Sequence, residues 1–424
     1  MTERSAAAAI VVGADWAMID PALIDACCDR WRETGSRMVF TQAAPGLAPC
    51  VIDLKTTQTL GEASRGNSHF ASIGAVLGYL PTTPQSDPIA STMCVRVDPA
   101  VRDLGVRCVA DGAPGLLDEI DASDDAPTIA RKLRGRAAAG LPRELMLEVC
   151  TGRLGGGAWG RWLRGGDEPV ERTPLTMALA HRVLRAFALG RPDGALTLHG
   201  VGDPMMHPKA LDIVRMGEEL GLHGLHLRTE LTGTDVDEAM LLESGAGVIS
   251  IDLLATTAKT REASSGHDRF EVADARAERL AVRAREDASG GMPGLWVVPR
   301  ITRCAQASGE IPDFVDRWIM TCGSAAIDPG PAVDDTGSDR FRPLPIPASA
   351  GQRLERDRLV VLCDGRVRGA GGAIIEGVDL NTCTLDEAWR AVGVTHQRAA
   401  AELEAKRRAA GAHARAGIQA EAAA

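Results

Sequence analysis

The sequence predicts an α/β protein built around a partial (β/α)6 barrel, with a smaller α/β unit before it and a small α+β tail module after it. Three observations predict this. From residue 144, short apolar runs alternate with helical patterns in a regular beat. The runs number six and the intervening helices five, which calls for βαβ units and a parallel sheet. The composition, 45% hydrophobic and 25% charged, is that of an ordinary globular chain. Six units are too few for a closed eightfold barrel; a doubly wound sheet is the alternative.

In chain order, residues 1–110 read as the first α/β unit, with a strand at Ile10–Val12, a helix at Pro21–Glu33, and extended segments at Met38–Thr41 and Cys50–Leu54. Residues 111–141 form an acidic, Ala- and Gly-rich connector with some helix. The barrel occupies 142–328. Its strands are expected at Glu144–Val149, Ala195–His199, Leu225–Thr229, Gly247–Asp252, Leu295–Ile301 and Ser324–Ile327. Its helices are expected at Pro174–Leu189, Pro208–Leu220, Asp235–Leu242, Phe270–Arg285 and Glu310–Thr321. The second of these helices shows the reasoning: Pro208 suits a first turn, Leu211, Val214 and Leu220 share a face, and Gly221 stops it. Residues 329–350 are a Pro-, Asp- and Gly-rich linker, and 351–395 a compact module with a turn at Asp364-Gly365. Residues 396–424 are an Ala/Glu/Arg-rich helical tail.

Composition narrows the function. A net charge of −10 and 3% aromatic residues, Tyr79 being the single tyrosine, give no basic face or stacking platform for nucleic acid. The short apolar run Ala6–Val12 soon meets Asp15 and Asp20, unlike a signal peptide, and no run approaches the ~20 residues that span a bilayer. The ten cysteines are scattered, none spaced C-x-x-C, and read as reduced thiols of a cytoplasmic protein with no membrane contact.

The chemistry-bearing candidates sit at strand ends. In Leu196-Thr-Leu-His-Gly-Val-Gly-Asp-Pro-Met-Met-His-Pro208 a glycine loop follows an apolar run and precedes an amphipathic helix. That is the layout of a ligand loop at the carboxyl end of a barrel strand, which makes Gly200, Gly202 and Asp203 cofactor-binding candidates. Asp203 serves equally as a helix N-terminal acid. Ser250 and Asp252 share a face at another strand end and join the candidates, with helix capping as the alternative. His199, His207, His223 and His226 cluster in sequence but lack a ligand spacing such as H-E-x-x-H. No G-x-S-x-G elbow occurs. Arg153, Arg161, Arg164, Trp159 and Trp162 read as a surface loop, with an anion or partner surface as the alternative.

These residues resemble the radical S-adenosylmethionine superfamily. Pro142-Arg-Glu-Leu-Met-Leu-Glu-Val149 resembles its first strand, and Gly200-Val-Gly-Asp-Pro204 the glycine-rich loop that contacts the cofactor's methionyl amino group. Ser250-Ile-Asp252 resembles its S-x-D at the fourth strand. Leu359-Val-Val-Leu-Cys-Asp-Gly-Arg-Val367 with Thr384-Leu-Asp-Glu-Ala-Trp389 resembles the SPASM-type extension. The resemblance implies S-adenosylmethionine and a [4Fe–4S] cluster held by C-x-x-x-C-x-x-C after the first strand. That motif is missing. Counting from Cys150 gives Leu154 and Gly157; counting from Arg153 gives Gly157 and Gly160. A cluster is therefore not expected, leaving Cys150 an isolated metal candidate.

Residues 1–110 resemble the C-terminal part of a spore-coat-polysaccharide-type cytidylyltransferase, through Gly13-Ala-Asp-Trp-Ala-Met-Ile-Asp-Pro21, Phe40-Thr-Gln-Ala-Ala-Pro-Gly-Leu-Ala48 and Pro84-Gln-Ser-Asp-Pro-Ile89. The resemblance makes Asp15 a metal candidate and implies a phosphate loop well upstream; fourteen residues precede Asp15, so the unit reads as a truncated nucleotidyltransferase, or Met1 as a misassigned start. The expectation is a degenerate radical-SAM/SPASM-like accessory protein, linked by resemblance to nucleotide-sugar or cell-surface glycan metabolism. Two alternatives stay open: an active radical enzyme with a non-standard iron–sulfur site, and an S-adenosylmethionine- or nucleotide-binding module without redox chemistry.

Overall fold

A computed structural model describes residues 6–58, 93–133, 141–328 and 358–398, excepting short stretches inside them such as 110–116, 155–158, 160–162, 164–169 and 287–294. Asp15, Arg161, Trp162, Arg164, the Pro84–Ile89 motif, the linker and most of the tail lie outside the described residues.

The first unit is a four-stranded sheet of β1 (Ala8–Val11), β2 (Met38–Thr41), β3 (Cys50–Asp53) and β4 (Cys94–Val95), ordered β1-β3-β2-β4. Helix α1 (Pro21–Thr34) packs on it, burying Cys27 against Val39, Val51 and Val95. Pro21 sits in the first turn, and Gly35 ends the helix with φ 59°, a conformation that costs other residues strain. Asp20 caps two helices: one oxygen accepts from Ala22 N (2.8 Å), the other from Ala126 N (2.7 Å) at the start of α3 (Ala126–Lys132). The short α2 (Pro99–Arg102) lies between β4 and α3 in the chain.

The second sheet carries the candidate site. Six strands, β5 (Glu144–Leu147), β6 (Ala195–Leu198), β7 (Gly224–Thr229), β8 (Val248–Asp252), β9 (Trp296–Thr302) and β10 (Ala326–Asp328), run parallel in sequence order. Between them lie α4 (Met177–Gly190), α5 (Ala210–Glu219), α6 (Glu238–Leu242), α7 (Ala258–Ser265), α8 (Phe270–Glu286) and α9 (Ile311–Cys322). All six strands and five of these helices fall where the sequence places them. The addition is α7, capped by Thr257 and closed by Gly266 (φ 74°). It buries Arg261, Ser264 and Ser265 rather than an apolar stripe, so it gives no hydrophobic period.

The tail does not stand apart from this sheet. β11 (Arg358–Val361) runs parallel beside β5, and β12 (Arg366–Arg368) and β13 (Ile374–Asp379) extend the same sheet outward. The turn at Asp364-Gly365 falls where the sequence predicts it, with Gly365 at φ 96°. The Thr384-to-Trp389 segment opens the last helix (385–396) with a capping box: Thr384 and Glu387 bond each other reciprocally, and Trp389 is buried.

Strand alternation sorts the second sheet into two faces. On the outer face Leu145, Leu147, Leu196, Leu198, Leu225, Leu227, Ile249, Ile251, Val297 and Ile301 join the helices in one apolar core. Opposite stand Glu144, Glu148, Thr197, His199, His226, Arg228, Glu230, Ser250, Asp252, Arg300 and Asp328, with Val248, Trp296, Val298 and Ala326 as a small apolar floor. The sheet curves around this inner face. β7 and β10 are three strand steps apart, about 14 Å on a flat sheet, yet Arg228 on β7 bonds Asp328 on β10 at 2.5 Å.

Candidate functional site

The inner face has two tiers. The lower is a hydrogen-bonded chain crossing five strands: Arg358 to Glu144 (2.5 Å), Thr197 to Glu144 (2.7 Å), Thr197 to His226 Nδ1 (3.3 Å), and His226 Nε2 to Ser250 (2.8 Å). Direction follows from chemistry. A carboxylate only accepts, so the Thr197 hydroxyl hydrogen goes to Glu144 and its oxygen accepts from His226 Nδ1–H. Nε2 is then the acceptor for the Ser250 hydroxyl. Burial, reinforced by the charges of Arg300 and Arg228, holds the His226 pKa well below the usual imidazole value. Ser250, a sequence candidate, belongs to this lower chain.

The upper tier lies at the carboxyl ends of the strands and divides into two halves. The half nearest β5 and β6 is built by the glycine loop and the segment after β5. Glu148 takes Arg172 in a bidentate pair (both 2.9 Å) and accepts from Val201 N (2.9 Å). Arg153 donates from Nε to Val201 O (2.9 Å) and pairs through Nη1 with Glu230. Glu230 also meets Arg261 Nη2 (3.2 Å) and His267 Nε2 (3.3 Å). Arg261 reaches on to the carbonyls of Asp252 (2.5 Å) and Leu253 (2.7 Å).

Asp203 has one oxygen on Met205 N (3.0 Å) and the other on Thr229 Oγ1 (3.0 Å) and Glu230 N (2.9 Å). Its carboxyl thus caps the short helix Pro204–Met206 and clamps the end of β7. Burial raises its pKa, opposed by Arg153 and the Thr229 bond. A Cβ on Gly202 would lie 2.5 Å from Cys150 O and 2.6 Å from Gly152 O; one on Gly200 would lie 2.4 Å from Glu148 Cγ. Both glycines therefore permit the loop to press against the strand-end backbone and Glu148. The buried Cys150 thiol sits 3.3 Å from Asp203 O, and burial pushes it up to about 11.

The other half, over β7 to β10, is a square of two arginines and two aspartates. Arg228 Nε lies 3.0 and 2.9 Å from the Asp252 oxygens, and its Nη2 2.5 Å from Asp328. Arg300 Nη2 lies 3.3 Å from Asp328, and its Nε 3.6 Å from Asp252. The Trp159 ring stacks on Arg228 (5.7 Å to the ring centroid). Here buried polar atoms go unused: His199 Nδ1 and Thr302 Oγ1 have no partner among the described residues. Just beyond Glu230 and Asp252, Leu231 (φ 52°) and Leu254 (φ 66°) hold left-handed backbone, unusual for branched side chains.

Of the sequence candidates, Gly200, Gly202, Asp203 and Asp252 come together at the strand ends. Among the histidines, His199 and His226 share the inner face, whereas His207 bonds Leu175 O (3.1 Å). No group of three metal-ligating side chains occurs among the described residues. Arg153 and Trp159, read from sequence as surface, are buried in the interior. Sequence reasoning also missed Glu148, Arg172, Arg228, Glu230, Arg261 and Arg300. A signal was present: His226-Leu-Arg228-Thr-Glu230 alternates polar and apolar inside a strand, which marks a polar inner face.

No protein-family model matches the chain, and no curated protein does. Several solved structures are similar at low identity. Streptococcus suis SuiB bound to S-adenosylmethionine shares 13% identity, with a TM-score of 0.45 over 63% of this chain and 72% of that one. Native anSMEcpe with bound AdoMet shares 11%, with a TM-score of 0.42 over 59% and 82%. BtrN in complex with AdoMet and 2-DOIA shares 13%, with a TM-score of 0.37 over 59% and 82%. Among the described residues no helix is long and apolar enough to cross a membrane.

Proposed function

We propose that this chain is a non-redox descendant of the radical S-adenosylmethionine scaffold, a partial (β/α)6 barrel with a degenerate SPASM-like tail, and that it acts as an accessory, non-catalytic protein. The observation that carries this reading is Arg153. It comes from the segment where the resemblance places the cluster loop, and its guanidinium lies between the Val201 carbonyl and Glu230. The glycine loop is thus engaged by the chain's own cation.

The residues present do not fit a [4Fe–4S] cluster. Its ligands are thiolates, but Cys150 is a buried thiol held near 11, and Leu154 and Gly157 offer no ligand atom. Cys363 lies against Glu148 (3.4 Å), and burial pushes it up to about 12. S-adenosylmethionine fits poorly as well. The Asp203 carboxyl has three protein donors, and the Asp252 carboxylate faces Arg228 and Arg300. These engagements weigh against both the active radical enzyme and a binding module built on Gly200, Gly202, Asp203 and Asp252. The link to nucleotide-sugar or cell-surface glycan metabolism rests on the resemblance of residues 1–110 alone.

Anaerobic reconstitution with iron and sulfide tests the proposal. The expected result is iron far below one cluster per chain and no reductive cleavage of S-adenosylmethionine. About four irons per chain with cleavage would refute it.

A further inference from the structure

We infer that the half of the inner face over β7 to β10 binds a small oxyanion, a carboxylate or phosphate group, between Arg228, Arg300, His199 and Thr302. This rests on the reading that the strand-end face persists without redox chemistry.

Each guanidinium carries five N–H groups. Among the described residues Arg300 commits one of them to a hydrogen bond, Nη2 to Asp328, and Arg228 commits Nε and Nη2. Each aspartate is shared by both arginines, so the two negative charges are already balanced, while several guanidinium N–H groups have no acceptor among the described residues. A ligand that accepts hydrogen bonds matches those N–H groups.

The second observation is independent of the arginines. His199 is 7% exposed and Thr302 1%, and among the described residues His199 Nδ1 and Thr302 Oγ1 are buried without a partner. A buried polar atom left unpaired costs about 1–3 kcal/mol, so two on one face call for a ligand. Register puts them there: β6 pairs Leu198 with Leu227, which stands His199 beside Arg228, and β9 pairs Thr302 with Asp328. His199 thus stands beside Arg228 at one edge of the arginine–aspartate square, and Thr302 stands beside Asp328, two residues beyond Arg300 on β9. A neutral imidazole donates from one ring nitrogen, and a hydroxyl donates freely.

Burial gives the direction of approach. The side chain of Asp252 is 2% exposed, while those of Arg228 and Arg300 keep 13% and 12%. Asp252 is thus the more deeply buried partner, and its bonds to Arg228 Nε orient that guanidinium. Guanidinium N–H groups can grip an oxyanion bidentately.

The test is isothermal titration calorimetry of the full chain with inorganic phosphate and, separately, succinate, repeated on His199→Phe and Thr302→Val. Neither substitution removes an ion pair, and thermal melts check that both variants fold. One site per chain is expected for at least one anion, weakened about tenfold or more by each substitution. Phosphate alone would identify a phosphorylated ligand, succinate alone a carboxylate. No binding of either anion to the wild-type chain, or binding unchanged in both variants, would overturn the inference. Iron content is measured on the same preparation, so failure of the non-redox reading registers separately from failure of the oxyanion site.

Discussion

The two halves of the upper tier are built from the same residue types and differ in how far their polar atoms are matched. Over β5 and β6, every carboxylate is matched: Glu148 by Arg172 and Val201 N, Asp203 by three donors, Glu230 by Arg153, Arg261 and His267. Over β7 to β10, among the described residues, Arg228 and Arg300 hold aspartates yet keep N–H groups in reserve, and His199 Nδ1 and Thr302 Oγ1 are unpaired, whereas in the first half the unpaired atom is a guanidinium nitrogen, Arg261 Nε. A polar network that closes a fold is thereby distinguished from one that awaits a partner. Residue type does not decide it; the balance of donors and acceptors does.

Breaking the closed half has the largest expected effect. Glu230→Gln removes the anion facing Arg153 and Arg261 and leaves both guanidiniums buried without it. Loss of one partner from a buried ion network costs about 3–5 kcal/mol, measured by urea unfolding. Next is Gly202→Ala, whose Cβ must displace the backbone at Cys150 and Gly152. Such overpacking costs about 1–3 kcal/mol.

A pH titration probes both tiers together. Burial holds His199 and His226 well below the ordinary imidazole value, and burial with Arg261 lowers His267 to about 4. Below about pH 6.5 the unfolded chain takes up protons that the folded chain refuses. Stability is therefore full above that pH and falls as pH drops, by up to about 1.4 kcal/mol per unit for each fully buried histidine. Urea midpoints from pH 8 to pH 5 measure the slope; a flat profile would contradict the buried neutral imidazoles. The smallest effect belongs to His199→Phe. It changes stability at pH 7 by less than about 1 kcal/mol, because it leaves no paired group behind, and it lowers the pH slope by one proton.

Much of the fold was legible because the outer face of the second sheet is apolar and periodic. Leu196 and Leu198, or Ile249 and Ile251, announce strands, and Pro208 with Gly221 frames a helix region. The helix Ala258–Ser265 escaped because its buried side chains are polar. The site was only partly legible. The glycine loop and the Ser250/Asp252 parity were visible, but an ion pair such as Arg153 with Glu230 joins residues far apart in sequence, and nothing local marks it. Arg153 and Trp159 lie in a Gly- and Arg-rich stretch whose composition suggests surface. They are interior because the curved sheet presents Glu230 and Arg228 as partners. Asp203 shows the reverse case: its helix-capping reading and its strand-end placement are both met, by different oxygens.

The glycine-loop half is closed by the chain's own side chains. Calorimetric titration of the anaerobic wild-type protein with S-adenosylmethionine tests it most directly. No saturable heat is expected, since Arg153 engages the Val201 carbonyl and Asp203 is engaged by backbone and Thr229. Saturable binding of one cofactor per chain, lost on substituting Gly202, would contradict it.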